Sequence, residues 1–331
     1  MTIASPRGTP FQRLRAALVE ALARGLALVP ERVLDALAGL AGEAWYRVAP
    51  RRAALGRRNL ERVVGYLVAN GLADARVVAA STDKAALERL LRRTFGETVR
   101  YYADVARLPY QDPEAVHRRL SLETPETIDR AFGPDAPLVL VAMHFGAIEY
   151  PAVFAVARTG RPILTPMETL TDPALQAWMR RSRGSVGVEI VGLREARRAL
   201  FKALANGQSV GLVADRHVAG GSVDVPFFGV SAPLPVGPAL LAVETGRPMY
   251  VGAVRRLGRG RYGGRMYPVP VATAGERRER IQATTATMAR VMEGAIAAAP
   301  EQWWALLAPI WPDVDARAIQ GTGTLEPEGA P

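Results

Sequence analysis

The chain contains no cysteine. Disulfides, thiolate metal sites and cysteine nucleophiles are therefore excluded together. That fits a cytosolic or membrane-associated protein. Lysine is nearly absent too: of the 42 basic residues only Lys84 and Lys202 are lysine. The positive charge is carried by arginine, whose planar fork suits phosphate and carboxylate. The histidines are His117, His144 and His217 alone. No uninterrupted apolar run reaches the ~20 residues of a membrane-spanning helix. No signal peptide is evident: the stretch from Phe11 to Val29 is broken by Arg13, Arg15, Glu20 and Arg24 and lacks a small-residue cleavage pattern after it. A Walker A motif and a GxSxG elbow are both missing, which argues against a P-loop NTPase and a standard serine esterase. Gly258, Gly260 and Gly263 match GxGxxG in spacing. The dinucleotide fingerprint needs a helix after it, whereas a strand is expected here, so the segment reads as a hairpin loop.

What is present is a 331-residue chain, 49% hydrophobic and 22% charged, with net charge +10. It is long enough for one large domain or two small ones. The basic balance points to an anionic partner: nucleic acid, anionic lipid or a phosphorylated substrate.

The hydrophobic pattern divides the chain. Phe11, Leu14, Leu18, Leu22, Leu26 and Val29 recur at helical spacing, with Arg13, Glu20 and Arg24 opposite and Arg15 interrupting the stripe. A second helix is expected over residues 31–48, followed by a basic cluster of Arg47, Arg51, Arg52, Arg57 and Arg58 and more helix to about Leu108. Residues 1–108 thus read as a helical, membrane-associating region. The stripe suits a helix lying in a membrane interface, with the arginines facing anionic headgroups; a helix packed on the protein's own core is the alternative. After Asp135 the rhythm changes. Short apolar runs at 138–143, 162–167, 188–191 and 209–214 alternate with helical segments at about 144–158, 173–183 and 194–206. That alternation predicts an α/β domain over 109–312 with a mostly parallel central sheet flanked by helices. Pro235-Val236-Gly237-Pro238 opens a further helix reaching Thr245. Residues 249–255 and 265–271 read as a hairpin, 276–298 as a long final helix, and 313–331 as a disordered tail.

The segment Leu138–Tyr150 reads LVLVAMHFGAIEY. His144 stands just after a buried strand and Glu149 five residues later, an HX4E motif. On one continuous helix these two would point about 140° apart, at ~100° per residue. They meet only if His144 sits in the strand-to-helix turn, which Gly146 makes easy. A carboxylate beside imidazole fixes its tautomer and stabilises its cation, leaving the other ring nitrogen to take a proton from a hydroxyl. The bland alternative is a histidine that merely caps a helix.

Further segments sharpen this reading. The chain resembles the bacterial lipid A biosynthesis acyltransferases and the related phosphatidylinositol mannoside acyltransferases. The motif of His, four residues and an acid matches His144 through Glu149. An acidic residue after an apolar strand matches Leu212-Val213-Ala214-Asp215-Arg216. An aromatic-aromatic-glycine block matches Phe227-Phe228-Gly229, and a Pro-Gly-Pro helix start matches Pro235-Val236-Gly237-Pro238-Ala239. Tyr46-Arg47-Val48-Ala49-Pro50-Arg51-Arg52 and Arg58-Asn59-Leu60 look like the N-terminal signature, and Ala299-Pro300-Glu301-Gln302-Trp303 like the closing motif. The resemblance covers roughly residues 11–312.

What the resemblance implies is transfer of a fatty acyl group from a thioester, acyl-CoA or acyl carrier protein, to a hydroxyl of a membrane glycolipid or phospholipid. His144 would be the general base and Glu149 would orient it, with no acyl-enzyme and no cofactor or metal. Asp215 would assist His144 or contact the acceptor hydroxyls. Arg183, by its resemblance to a family arginine, would stabilise the oxyanion. Arg216 would hold a phosphate or pair with Asp215, and Phe227 and Phe228 would line the acyl channel, paired aromatics after Pro226 reading equally well as core. A peripheral, monotopic location on the cytoplasmic face of the cell membrane follows. Two other classes fit parts of the sequence. A metal-dependent hydrolase would use His144, Asp215 and His217, although their spacing resembles no zinc motif. A nucleic-acid-binding protein would use the net charge and the Arg-Gly-Arg-Tyr-Gly-Gly-Arg loop, but the arginines are dispersed and no nucleic-acid-binding motif is present, so nucleic acid is not an expected partner.

Overall fold

The computed structural model describes residues 8–133, 137–218, 220–258 and 260–313. The tail expected to be disordered lies, except for Asp313, outside the described residues. Five helices lead: α1 (Pro10–Leu28), α2 (Glu31–Val48), α3 (Pro50–Ala69), α4 (Ala75–Thr82) and α5 (Lys84–Arg107). Their starts are written locally. Thr9 and Gln12 form a capping box with Pro10 in the first turn of α1, and Asp74 and Asp83 cap α4 and α5 with their side chains, satisfying amide groups a helix start leaves free.

Then come α6 (Pro113–Arg118), β1 (Leu120–Leu122), α7 (Pro125–Ala131), β2 (Val139–Ala142), α8 (Tyr150–Thr159), β3 (Ile163–Met167), α9 (Pro173–Gly184), β4 (Val188–Gly192), α10 (Leu193–Ala205) and β5 (Val210–Val213). A hairpin of β6 (Ser222–Phe227) and β7 (Val230–Pro235) follows, then α11 (Gly237–Thr245), β8 (Met249–Gly258), β9 (Arg261–Val269) and α12 (Arg277–Ala297). The fold is α/β. Seven strands form one sheet in the order β1-β9-β8-β2-β5-β3-β4. Its pairs are parallel except β8 with β9, which is antiparallel. The central strands are buried on both faces, as Val139, Val141, Val210 and Val251 illustrate at 0% exposure; continuous apolar runs are what such strands require.

The sequence reading assigned no element over α6, β1 and α7, and two further features differ from it. The β6–β7 hairpin carries Pro226, Pro233 and Pro235, which demote a run as strand; it is a separate two-stranded sheet, so proline occupies an edge. Its turn holds Phe228 at φ 49° and Gly229 at φ 76°, the paired positive angles of a tight hairpin turn. Phe228 tolerates this because the buried carboxylate of Glu293 accepts its N–H. The β8–β9 hairpin is also longer than expected: the glycine-rich segment is mostly strand, interrupted by a register shift between Arg256 and Gly258.

The N-terminal helices join the sheet in two ways. Apolar side chains of α3 and α5, among them Leu60, Val63, Leu91 and Phe95, share one core with Val139, Val141 and Trp303. The other link is ionic. Asp104 on α5, 4% exposed, accepts from Arg100 Nε at 3.1 Å, Arg107 Nε at 3.1 Å and Arg256 Nη1 at 3.0 Å. Glu31, the first residue of α2, accepts from Arg100, Arg107 and Arg119. Burial pushes the Glu31 carboxyl up, but Arg100 and Arg107 outweigh it and hold it below the ordinary value. Helix α2 approaches α5 closely because Gly42 faces Gly96; a Cβ on Gly42 would lie 2.4 Å from the Gly96 nitrogen.

Removing one member of such a buried cluster strands the others. Asp104→Ala leaves three largely buried guanidinium groups short of a counter-charge and should destabilise the fold by about 3–5 kcal/mol. Denaturant unfolding of the two proteins measures this; a loss below about 1 kcal/mol would show that the cluster is solvated.

Candidate active site

The register of two strands creates the site. β2 and β5 run parallel, with Ala142 opposite Val213, and the amide of Ala214 still donates to the carbonyl of Ala142 at 3.1 Å. Two residues beyond the ends of the paired segments stand His144 and Asp215. They therefore emerge side by side at the carboxyl edge of the sheet, where α/β folds bind ligands. The chain turns sharply after His144. Gly146 adopts φ +53°, and a Cβ there would lie 2.0 Å from the Val254 carbonyl oxygen, so only glycine fits.

His144 Nδ1 lies 2.7 Å from Asp215 Oδ1. Asp215 Oδ2 accepts from the His144 amide at 2.8 Å and from the Trp303 indole Nε1 at 2.6 Å. The carboxylate is fully buried and the imidazole 15% exposed. Burial pushes the Asp215 carboxyl up, but the His144 ring, then the Trp303 indole and the His144 amide, outweigh it and hold it below the ordinary value. An ionised carboxylate only accepts hydrogen bonds. The proton between the two groups therefore sits on Nδ1, and Nε2 is the ring nitrogen left for chemistry.

Sequence reasoning gave this orienting place to Glu149, and here the geometry corrects it. Glu149 is the N-cap of α8, and its carboxylate accepts from Arg183 Nη2 at 2.6 Å. The five-residue spacing turns the two side chains of the motif to different partners. Arg183, in the last turn of α9, also donates from Nη1 to Met167 Sδ at 2.9 Å. Burial pushes its guanidinium down, and Glu149 more than restores it, so the group is held above its ordinary value.

Tyr101 ties the groups together. Its ring lies 4.5 Å from that of Trp304, which stands edge-on to the His144 imidazole at 4.4 Å. Its hydroxyl is pushed up by burial and by Glu149, against the pull of Arg183 and Arg216. Arg216 makes no hydrogen bond or ion pair among the described residues, and its Nε is buried without a partner. Of its two expected roles, pairing with Asp215 is not seen, since both oxygens of Asp215 are engaged by His144 and Trp303. Phe227 and Phe228, expected along an acyl channel, are 0% and 1% exposed and pack against Trp303 and Trp311. They are core beneath the site. His217 turns away: its Nε2 lies 3.0 Å from the Gly220 carbonyl. Among the described residues no three His, Asp or Glu side chains converge as a metal site would need.

Neither Trp303 nor Trp304 carries a role in the sequence reading, and Tyr101 is not singled out there. The segment Gln302–Trp304 runs antiparallel beside the turn that carries His144, with Phe145 bridged to Trp303. Gly146 N donates to Gln302 O at 3.0 Å and Trp304 N to His144 O at 2.9 Å. The Gln302 side chain also pairs with the backbone of Arg256 in both directions, at 2.8 and 2.9 Å. The local signals were the tandem tryptophan and the closing motif that ends on Trp303, and a contact with His144, so far back in the chain, is not readable from either.

Fold and site together are those of an α/β enzyme with a histidine–carboxylate pair at the edge of a parallel sheet. A sequence profile of the bacterial lipid A biosynthesis acyltransferases matches residues 6–311, and the chain belongs to that family. It is an acyltransferase. A phosphatidylinositol mannoside acyltransferase of Mycolicibacterium smegmatis is 29% identical over 259 residues, covering 77% of this chain and 78% of that protein. One of Mycobacterium tuberculosis is 32% identical over 222 residues, covering 64% and 67%.

The Asp215 arrangement has a pH signature. Its carboxyl is depressed in the folded state, so its contribution to stability is present above the unfolded pKa, about 3.9, and is lost as pH falls through the folded value. Asp215→Asn should flatten the acid side of the stability curve by about one proton. Urea unfolding between pH 3 and pH 7 reads this directly; identical slopes in the two proteins would mean the pair does not form.

Proposed function

We propose that the protein transfers a fatty acyl group from a thioester donor, acyl-CoA or acyl carrier protein, to a hydroxyl of a membrane glycolipid or phospholipid, with His144 as general base. The observation that carries this reading is the 2.7 Å contact between His144 Nδ1 and a buried Asp215. The acceptor hydroxyl gives its proton to Nε2 as its oxygen bonds to the thioester carbonyl carbon. The tetrahedral intermediate collapses with cleavage of the C–S bond, and the imidazolium returns the proton to the departing sulfur. Asp215 stabilises the imidazolium and fixes the ring. Glu149 acts through Arg183, holding a guanidinium in the site to stabilise the oxyanion. Arg216, an unpaired cation beside Asp215, holds an anionic group of a substrate, most simply a phosphate. The names of the two mycobacterial relatives favour a phosphatidylinositol mannoside acceptor.

The surface supports work at a membrane. None of the described helices is long and apolar enough to cross one. Helix α1 buries Ala16 and Ala23 and leaves Phe11, Leu14, Leu18 and Leu22 58–71% exposed. Its apolar stripe faces away from the protein. Helix α2 leaves Val33, Leu37 and Leu40 exposed as well. Exposed apolar side chains in such number call for a partner, and a lipid interface fits an amphipathic helix. The basic cluster is partly engaged: Arg47 pairs with Glu43 and Arg57 with Glu88, and Arg52 donates to Leu307 O. Arg51 and Arg58 remain exposed to meet anionic headgroups. The cytoplasmic face of the cell membrane is the proposed location.

His144→Ala should lower turnover at least ~100-fold with the fold intact, and Asp215→Asn should do comparable damage. Wild-type protein mixed with labelled acyl-CoA alone should show no covalent adduct by denaturing mass spectrometry. A folded, fully active His144→Ala enzyme, or a stoichiometric acyl-Ser or acyl-Thr, would contradict the mechanism.

Deletion of residues 1–30 should release the enzyme from anionic liposomes while the remainder stays folded. High salt should weaken binding of the intact chain without abolishing it, because the ionic part is screened and the apolar part is not. Equal liposome binding by the truncated and full-length proteins, in a flotation assay, would remove the anchor.

A further inference from the structure

We propose that Trp303 is a positioning residue of the reaction: its indole N–H fixes the Asp215 carboxylate that orients His144. The proposal rests on the reading of His144 as the base. Packing alone explains why an aromatic ring stands here. Trp303 is 0% exposed and contacts Phe227, Phe228 and Trp311 at centroid distances of 5.6, 5.4 and 6.4 Å. A phenylalanine would serve that purpose. Packing does not explain why the N–H edge points at Asp215 Oδ2 from 2.6 Å, inside a fully buried carboxylate site.

The carboxylate can turn about the bond that carries it. Two of its three contacts, the ring Nδ1 and the amide N, belong to His144 itself, the residue to be oriented. Among the described residues Trp303 supplies the one side-chain donor from outside that residue. Trp303 is in turn registered by backbone: Gln302 and Trp304 are bonded to Gly146 and His144, and Trp303 is bridged to Phe145. The indole therefore approaches Asp215 from a fixed frame. It also supplies a donor to a charge that burial disfavours, which keeps the carboxylate ionised and the proton on His144 Nδ1. A charge-assisted hydrogen bond of this kind corresponds to a factor of about ten or more in an equilibrium.

The test separates shape from hydrogen bonding. Trp303 is replaced with 3-benzothienylalanine by nonsense suppression, which keeps the bicyclic ring and exchanges N–H for sulfur; Trp303→Phe serves as a second variant. Activity is measured with palmitoyl-CoA and a phosphatidylinositol mannoside in mixed micelles. Both variants should lose about tenfold or more in kcat, with KM for each substrate within about twofold. Proton NMR of the full chain should show a downfield Nδ1–H signal from His144 in the wild type, assignable among three histidines, that is broadened or lost in the benzothienyl variant. The melting temperature of that variant should stay near wild type. A benzothienyl variant with wild-type kcat, or one whose loss falls on KM, overturns the proposal. The reading beneath it fails differently: a fully active His144→Gln enzyme would remove the base and leave the spectroscopic link from Trp303 to His144 standing.

Discussion

A fully buried carboxylate is tolerable only where donors surround it, and the arrangement around Asp215 meets that requirement with one imidazole, one amide and one indole. Each comes from a different structural decision. The imidazole is there because β2 and β5 pair in parallel with Ala142 opposite Val213. The amide is there because the chain breaks from the strand at His144, which Gly146 permits by accepting a left-handed backbone against the Val254 carbonyl. The indole is there because the segment after α12 returns across the sheet edge beside that turn. Slip the strands by one residue and the imidazole and carboxylate would face opposite sides of the sheet.

Charge inside the protein serves the same turn from behind. Arg256 is gripped by Glu97 and Asp104, donates to the Gly146 carbonyl at 3.3 Å, and has its backbone paired with Gln302. Asp104 and Glu31 carry the connection on to Arg100, Arg107 and the start of α2. Helix α2, which leaves Leu37 and Leu40 exposed, is thus joined by buried ion pairs to the strand that backs His144. Buried ion pairs contribute little net stability compared with apolar packing; what they contribute here is one fixed relation between α2, α5 and the sheet edge that carries His144.

Much of this was legible in the sequence. The alternation of apolar runs and helical segments after Asp135 gave the parallel strands and their helices, because strands buried on both faces must be continuously apolar. The residues His144, Glu149, Arg183, Asp215 and Arg216 were all singled out, and the structure gathers them at one sheet edge. Their pairing was not legible. A four-residue gap in HX4E suggests a local contact between His144 and Glu149, whereas the contact His144 makes is with a residue 71 positions away. Strand register decides that, and no local signal encodes it. Phe227 and Phe228 show the complementary limit: paired aromatics read equally well as channel or core, and burial separates them only once neighbours such as Trp311 are known. Proline hid β6 and β7, since a proline-rich run is demoted as strand unless it lies on an edge.

The central claim is that one imidazole nitrogen, held by Asp215 on its far side, takes the proton of the acceptor hydroxyl. Chemical rescue addresses it most directly. In His144→Gly the space of the ring is empty while Asp215 and Trp303 remain. Turnover should fall at least ~100-fold and recover in proportion to added free-base imidazole, and the recovery should shrink when Asp215 is also changed to Asn. A His144→Gly enzyme that turns over like the wild type without imidazole would contradict the account.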